Sequence, residues 1–531
     1  MHTLPVDWYR SGWHGTGSIA DAVRDGARRS PGSRVHFVSA DRPSMQTIGE
    51  LYERGMRVAA GLVALGVGRG DAVLCQLPNW AETAILLRAV TSLGGVFVPL
   101  VIGASPDEVV SAVLRSRAKV VVTATAWRGR DRTECLSALA GSPIEHLVIV
   151  GDDSPAGTTP WSELEHAEPQ VITYPMPIDT DATAFLLFTS GSTGTPKGVR
   201  HSNNTLLSEA RGGPIARPGR PPPDETLMQV LPPGHVAELL VAVRTAIFGL
   251  PTVVMDEWDP ELAARSIERY RVTSTTLVPY HLKQMLEVGQ RYDTSTIRGL
   301  MVGAAGVPST LIEEAARLDV PAFRCYGCSE HPTVVASDPR APLTDRAHTD
   351  GPPLPGNQIR IVDESLCDVA TGEAGEVMTR GPERALGYLD AEHDEAFLPG
   401  GWFRTGDVGR VDQGGRLTIT DRLKDIIIRG GENISAKEVE DALVTHPDIC
   451  EVAVVNVSDA RMGERACAFV VTAPGRVVDL PSIAEYLAHI GLARHKSPEQ
   501  LVVVSELPRT DAGKVVKVAL REMAHTERAR T

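Results

Sequence analysis

Residues 186–200 run Leu-Leu-Phe-Thr-Ser-Gly-Ser-Thr-Gly-Thr-Pro-Lys-Gly-Val-Arg. An apolar, strand-like stretch gives way to a loop of hydroxyls and glycines with one lysine, Lys197. Backbone N–H groups, hydroxyls and a cation at such close spacing suit a polyphosphate. The loop is not a Walker A sequence, which needs Gly-x-x-x-x-Gly-Lys-Ser/Thr opening a helix. Here Pro196 precedes the lysine and Gly198 follows it. A flexible surface turn would tolerate the glycines, but it has no use for a lysine set among so many hydroxyls.

Four further stretches carry chemistry. Cys325-Tyr-Gly-Cys-Ser-Glu330 sets an aromatic ring, Tyr326, beside a glycine, a hydroxyl and a carboxylate. Tyr326 can stack on a base, and Glu330 can hold Mg2+, which takes few carboxylates plus substrate phosphates. Gly401-Trp-Phe-Arg-Thr-Gly-Asp407 puts a carboxylate in a glycine-containing turn, suited to the vicinal hydroxyls of a ribose. Asp421-Arg-Leu-Lys-Asp425 sits at an inferred domain boundary, and Leu507-Pro-Arg-Thr-Asp-Ala-Gly-Lys514 places a lysine after a glycine near the C-terminus. Singly, each has a plain structural explanation: Tyr326 as core, Asp407 as a turn cap, Lys514 as a solvated helix start. Lysine usage sharpens the choice. Of 53 Lys and Arg residues only eight are lysine. A chain that uses arginine for general surface charge makes its few compact ammonium groups informative. Three of them, Lys197, Lys424 and Lys514, fall in glycine-containing or hinge-like contexts.

The elements that must position these residues follow from periodicity. Asp71–Gln76, Lys119–Thr123, Leu147–Val150, Ala184–Thr189, Thr252–Met255 and Ser274–Val278 have strand character. Glu82–Leu93, Ser105–Ser116, Pro260–Tyr270 and His281–Val288 have helical spacing between them. The pattern predicts an α/β fold with mostly parallel, helix-covered sheets. Arg211–Pro223 is Gly/Pro/Arg-rich and predicts an exposed loop. From Gly356 short strands and tight turns predict a small β-rich subdomain, with a hairpin turn at Asp412–Gly415. After Asp421 a separate small α+β unit begins, with Ser435 as a helix N-cap. The expected division is therefore 1–422 and 423–531, with a hinge at Lys424.

Bulk properties bound the rest. The chain has 531 residues, a net charge of −14 and 42% hydrophobic residues. That is too long for one ordinary domain, and the acidity argues against nucleic-acid or membrane partners. Met1–Trp13 lacks the apolar core of a signal peptide, so a soluble, cytoplasmic protein is expected. Seven scattered cysteines give no disulfide framework. Cys325 and Cys328 form a lone C-x-x-C without the second ligand pair a zinc site needs.

Together the motifs resemble the acyl-adenylate-forming superfamily: acyl-CoA synthetases (AMP-dependent synthetases and ligases), adenylation domains of peptide synthetases and beetle luciferases. The resemblance runs from about residue 15 to 525. It rests on five ordered stretches: Thr-Ser-Gly-Ser-Thr-Gly-Thr-Pro-Lys-Gly, Tyr-Gly-Cys-Ser-Glu, Gly-Trp-Phe-Arg-Thr-Gly-Asp, Asp-Arg-Leu-Lys-Asp-Ile-Ile-Ile-Arg-Gly-Gly-Glu-Asn-Ile and Pro-Arg-Thr-Asp-Ala-Gly-Lys. It implies ATP, Mg2+ and coenzyme A as the cofactors. By this resemblance Thr189, Ser190, Gly191, Ser192, Thr193, Gly194 and Lys197 cradle the β- and γ-phosphates, with Thr193 and Glu330 toward the metal. Gly303, Ala304 and Ala305 lie along adenine and the acyl pocket, while Tyr326 and Gly327 meet the adenine. Ser329 touches the α-phosphate. Asp407 takes both ribose hydroxyls with help from Arg422. Lys514 bridges the substrate carboxylate and the α-phosphate. Lys424 is the hinge, about which the C-terminal unit rotates between half-reactions, and Gly430 and Gly431 line the pantetheine tunnel. Departures are mild: Ser192 and Ser329 stand where threonine is commoner, and Ala436 replaces a frequent proline.

Leu231-Pro-Pro-Gly-His235-Val-Ala-Glu238 matches the motif bordering the acyl site, with His235 as gate to the thiol channel or as a structural imidazole. The aspartate that holds an amino acid's ammonium is missing, and Val236 fills the position of the asparagine used by 2-hydroxybenzoate activators. An apolar, bulky acid is expected: alicyclic, terpenoid-like, aromatic or medium-chain. Coenzyme A is the expected acceptor. A carrier protein or separate thiolating partner is the alternative, and the sequence leaves a homodimer open. A catalytically silent ligand-binding protein is a second alternative, against which intact Lys514, Asp407 and Glu330 argue.

Overall fold

The computed structural model describes residues 7–151, 154–168, 178–189, 196–212, 224–459, 461–510 and 513–528. Among these residues two eight-stranded sheets dominate. In the first, Ala322–Tyr326, Gly299–Val302, Ser274–Leu277, Leu227–Gln229, Thr252–Met255 and Arg34–Val38 run parallel in that order. Antiparallel edge strands close it, Val335–Ala336 on one side and Ser44–Thr47 on the other. In the second, Thr183–Thr189, Val96–Pro99, Ala72–Gln76, Val120–Ala124, His146–Val150 and Thr159–Pro160 are parallel neighbours. Lys197–Ser202 and then Gly387–Tyr388 add antiparallel to its other edge.

The mostly apolar character of the central strands follows from burial on both faces. Every residue of Ala72–Gln76 and Val120–Ala124 is buried, as expected of parallel strands under helices. The main core joins Phe37 and Val254 of the first sheet to Val73, Val122 and Phe185 of the second. Between them lie Val23, Leu51, Val58, Ile85 and Val243 from helices Ile19–Arg29, Ile48–Ala64, Ala81–Ser92 and Val236–Phe248. Ser18, Thr47 and Ser105 start their helices with reciprocal capping boxes, each contributing about 1 kcal/mol.

A four-stranded antiparallel sheet follows, in the order Gln358–Val362, Gly375–Arg380, Phe403–Val411, Leu417–Arg422. Its last hairpin turns where the sequence predicts, Gly415 N donating to the Asp412 carbonyl at 3.0 Å. A five-stranded sheet is built from Ile427–Arg429, Glu432–Ile434, Ile449–Asp459, Gly463–Thr472 and Gln500–Val503. Helix Ala436–Leu443 packs on it, with the Ser435 hydroxyl accepting from Glu438 N as an N-cap. Ile427, Val439, Leu443, Val454, Ala468 and Ile483 form its own core.

Several strand and helix limits differ from the sequence reading by one or two residues, as where Ala81–Ser92 stands for the expected Glu82–Leu93, and the start of the expected loop differs as well. Helix Asn203–Gly212 takes in Arg211 and Gly212, which the loop reading had included. Buried Leu206, Leu207 and Ala210 carry that helix through its last turn, and 213–223 lie outside the described residues. No described helix is long and apolar enough to cross a membrane.

Candidate active site

Two parallel strands of the first sheet end side by side, Gly299–Val302 and Ala322–Tyr326. The segments that follow them are Gly303-Ala304-Ala305 and Gly327-Cys328-Ser329-Glu330. Carboxyl ends of parallel strands are where open α/β sheets place ligands. Glycine is required at 303, since a Cβ there would lie 2.6 Å from Cys325 Sγ. Ala304 is held at φ 64°, a left-handed conformation uncommon outside glycine. Both Ala304 and Ala305 are exposed. The Cys325 thiol is pushed up to about 12 by burial, with the Asp350 carboxylate adding to it, so it stays a neutral packing group rather than a thiolate.

Tyr326 and Asp407 meet through the four-stranded sheet. Asp407 and Arg422 are directly opposed on neighbouring strands. Arg422 Nε donates to Asp407 Oδ1 at 2.6 Å, and the Tyr326 hydroxyl donates to Asp407 Oδ2 at 2.7 Å. Each carboxylate oxygen keeps acceptor capacity beyond that one bond. Burial and the Asp407 charge push the Tyr326 phenol well up, so it remains a donor. That bond fixes the position of its hydroxyl.

Glu330 is tied at both ends. Its carbonyl accepts from Ala385 N at 2.7 Å, and its Oε1 accepts from the Tyr388 hydroxyl at 2.6 Å. The Lys197 ammonium stands 4.8 Å from the centroid of the same Tyr388 ring. Strand register brings this about, because Tyr388 pairs with Val199, two residues beyond Lys197. Lys197 in turn pairs with Thr189 at the mouth of the hydroxyl loop. Ser190, Gly191, Ser192, Thr193 and Gly194, the loop itself, lie outside the described residues. The Ser329 carbonyl accepts from Nε2 of buried His201 at 2.7 Å. Burial pushes that imidazole down to about 4, so it is neutral at pH 7.

Lys514 arrives from the last unit, on the loop after Gly513. Burial and the Arg422 charge lower its ammonium, while Cys328, Asp407 and Glu330 act the other way. Lys514 and burial together push His235 down to about 4, burial being the larger cause. His235 precedes helix Val236–Phe248 without a side-chain cap bond. Its turn is held from behind: Asn79 Nδ2 donates to Glu238 Oε1 at 2.6 Å and Leu231 N to Glu238 Oε2 at 3.1 Å. Lys514 thus stands within electrostatic reach of Glu330, Asp407, Arg422 and His235. Lys424 sits one residue past Arg422 plus Leu423, in the turn Leu423–Asp425, with its ammonium lowered by burial and by Arg422. Gly430 and Gly431 form the hairpin turn after Ile427–Arg429, where Gly430 N donates to the Met462 carbonyl at 2.7 Å.

Sequence reasoning assigned no role to Tyr388, His201, Asn79 or Glu238. Tyr388 lies in a two-residue strand too short for any periodicity. Glu238 fell inside a motif already singled out, and a buried acid on an apolar helix was the available signal.

Comparison with known proteins identifies the family. The family model described as AMP-binding enzyme matches residues 23–389, and that described as AMP-binding enzyme C-terminal domain matches 438–514. The chain is similar to the medium-chain fatty-acid–CoA ligase of Escherichia coli (strain K12), with 32% identity over 97% of this chain and 91% of that one. It is similar to the salicyl-AMP ligase / salicyl-S-ArCP synthetase of Mycobacterium tuberculosis, with 33% identity over 96% of this chain and 92% of that one. Among solved structures, o-succinylbenzoate CoA synthetase from Bacillus subtilis in complex with its acyl-adenylate intermediate superposes with a TM-score of 0.80 at 27% identity. That match covers 94% of this chain and 97% of the other. The chain belongs to the AMP-binding enzyme family, and is an enzyme of the acyl-adenylate-forming superfamily.

Proposed function

We propose that the protein joins an apolar, bulky carboxylic acid to AMP with release of pyrophosphate, then passes the acyl group to the thiol of coenzyme A. The acid is alicyclic, terpenoid-like, aromatic or medium-chain. The observation that carries the reading is the approach of Lys514 to Glu330, Asp407 and Arg422 beside the exposed Ala304–Ala305 face.

A carboxylate acylates poorly because its leaving group is oxide. Attack on the α-phosphorus of ATP converts it to a mixed anhydride, and the enzyme need supply no nucleophile. It must hold two anions together and stabilise an in-line phosphoryl transition state. In this reading Lys514 lies between the acid's carboxylate and the α-phosphate, with Ser329 beside that phosphate. Tyr326 offers its ring to adenine above Gly303 and Gly327. The spare acceptor sites of Asp407 take the two ribose hydroxyls. Thr189 and Lys197 flank the loop assigned to pyrophosphate, with Ser190, Gly191, Ser192, Thr193 and Gly194 between them. Glu330, with Thr193, would hold Mg2+. Among the described residues no group of three or more His, Cys, Asp or Glu stands together, so one carboxylate plus ATP phosphates is the donor set on offer, and Mg2+ accepts that set. When bound, the ion supplies charge neutralisation at the phosphates.

The division of labour follows the proposed boundary, with residues 1–422 holding the nucleotide and 423–531 carrying Lys514. Lys424 is the proposed pivot. Turning the C-terminal unit would withdraw Lys514 and present Gly430 and Gly431 to the pantetheine arm, with neutral His235 beside the thiol path. Apolar Val236, and the absence of an aspartate there, support an uncharged acid. The salicyl-AMP ligase likeness favours a second reading, in which a carrier protein takes the acyl group.

The test is acid-dependent ATP–pyrophosphate exchange over a panel of carboxylic acids, followed by addition of coenzyme A and mass spectrometry. Exchange with bulky apolar acids and an acyl-CoA product are expected. Exchange without acyl-CoA would transfer the acceptor role to a carrier, and no exchange with any acid would remove the ligase reading.

A further inference from the structure

The loop bearing Lys514 is not held by Lys514. Residues 508–510 pair antiparallel with 513–516: Thr510 N donates to the Lys514 carbonyl at 2.8 Å and Val516 N to the Pro508 carbonyl at 2.8 Å. Inside this hairpin the Arg509 guanidinium makes three contacts in different directions. Nη1 donates to the Gly513 carbonyl at 2.7 Å, at the residue before Lys514. Nη2 pairs with Glu451 Oε2 at 2.7 Å, on the strand beneath. Its carbon lies 4.7 Å from the centroid of the Tyr280 ring, which belongs to the large unit. One side chain therefore joins the lysine loop, the sheet that carries it and the opposite unit. The planar fork and flat face of arginine make this combination available.

The far side of the contact is prepared for it. Tyr280 opens helix Pro279–Gly289, and its hydroxyl accepts from Gln284 Nε2 at 2.9 Å. Gln284 Oε1 accepts from Trp258 Nε1 at 2.8 Å, and Trp258 stacks on His281 with ring centroids 4.3 Å apart. Gly513 fits against this platform at φ 77°, where a Cβ would come within 3.3 Å of Val278 and 3.6 Å of the Tyr280 ring. His281 is neutral there, pushed down to about 4 by burial and by Arg509, so no second cation repels the guanidinium.

We infer that Arg509 is a positioning residue: its stack on Tyr280 and its bond to the Gly513 carbonyl latch the C-terminal unit in the pose that delivers Lys514 to the α-phosphate. The inference rests on the proposed adenylation chemistry for its kinetic readout. Arg509 touches no reacting atom, so its loss acts on one half-reaction only. Acyl transfer from preformed acyl-AMP does not use this pose.

The experiment has two arms on the full-length protein. In the kinetic arm Arg509→Ala lowers acid-dependent ATP–pyrophosphate exchange by roughly tenfold, the scale of one desolvated cation–π contact with its hydrogen bond. Thioester formation from supplied acyl-AMP stays within about twofold on the same reasoning. Arg509→Lys recovers part of the exchange, because an ammonium can face Tyr280 but cannot fork to Gly513 and Glu451 together. Tyr280→Leu reproduces Arg509→Ala, and the double variant adds little to either alone. Equal loss of both half-reactions, or exchange at wild-type rate, overturns the latch. The second arm is amide hydrogen exchange without substrate. Arg509→Ala speeds exchange in both Pro279–Gly289 and 508–516, whereas Lys514→Ala leaves the helix protected. Unchanged protection in Arg509→Ala overturns the inference even where activity falls. Failure of the wild type to exchange pyrophosphate with any acid removes the ligase reading and leaves the second arm to decide the latch.

Discussion

The nucleotide side of the site and the lysine side are assembled in opposite ways. Asp407 is 3% exposed, opposed to Arg422 by strand register and bonded to Tyr326. Three chain segments fix it, and none can move without breaking a sheet. Lys514 stands on a short hairpin whose described residues meet the large unit through the Arg509–Tyr280 stack and the Gly513 seat, and the strand beneath adds a bond from Lys283 Nζ to the Cys450 carbonyl at 3.3 Å. In the proposed chemistry the group that serves both half-reactions is the one built into the sheets, and the group that serves one is carried on a short hairpin.

The sharpest way to break that comparison is Lys514→Ala. Adenylation should fall by about a thousandfold, as when a charge-stabilising group is removed from a phosphoryl transition state. Thioester formation from supplied acyl-AMP should persist, and equal loss of both would erase the distinction. Asp407→Ala is the converse. Acyl-AMP keeps its ribose, so both half-reactions should weaken, each by about a hundredfold from the loss of buried charge-assisted bonds. A defect confined to adenylation would mean that Asp407 belongs with the mobile side.

The pH profile should separate the two sides less strongly. Lys514 works as a cation and its pKa lies below the ordinary 10.5. Raising pH through that lowered value removes the charge, so the alkaline decline of adenylation begins earlier than for an ordinary lysine. Lys514→Arg, which stays charged, should move the decline to higher pH, and an unmoved limb would assign it to another group. The smallest effect is expected from Tyr388→Phe. Glu330 loses one hydrogen bond while the ring beneath Lys197 remains, so exchange should drop only a few-fold, on the scale of about 1 kcal/mol. Titrating Mg2+ should show the requirement rising by a similar factor.

Much of the molecule was legible because burial writes simple patterns. Thr252–Met255 and Pro260–Tyr270 are found at the limits that periodicity predicts. Each has a clean apolar signal bounded by a proline, glycine or charge. The motif residues Tyr326, Glu330, Asp407 and Lys514 were visible as types in suggestive settings. Their convergence was not, because strand order is a long-range property: Tyr326 and Asp407 lie on different sheets. Tyr388 and Asn79 escaped for a related reason. Each works through one partner far along the chain, Glu330 for Tyr388 and Glu238 for Asn79, and no local pattern encodes such a pairing. The expected Arg211–Pro223 loop overlaps the helix Asn203–Gly212 by two residues, since Arg and Gly at a helix end leave no apolar mark while the helix is held by Leu206, Leu207 and Ala210.

Arg422 is both the partner of Asp407 and the residue immediately before the turn Leu423–Asp425. The stationary end of the proposed pivot is therefore the pair proposed to hold the ribose. In that reading a nucleotide that draws on the Asp407 carboxylate also loads the bond to Arg422, and so reaches the first backbone dihedrals of the hinge through a single guanidinium. Occupancy and swing share one joint, so the arm is anchored to its cargo and not merely to its frame.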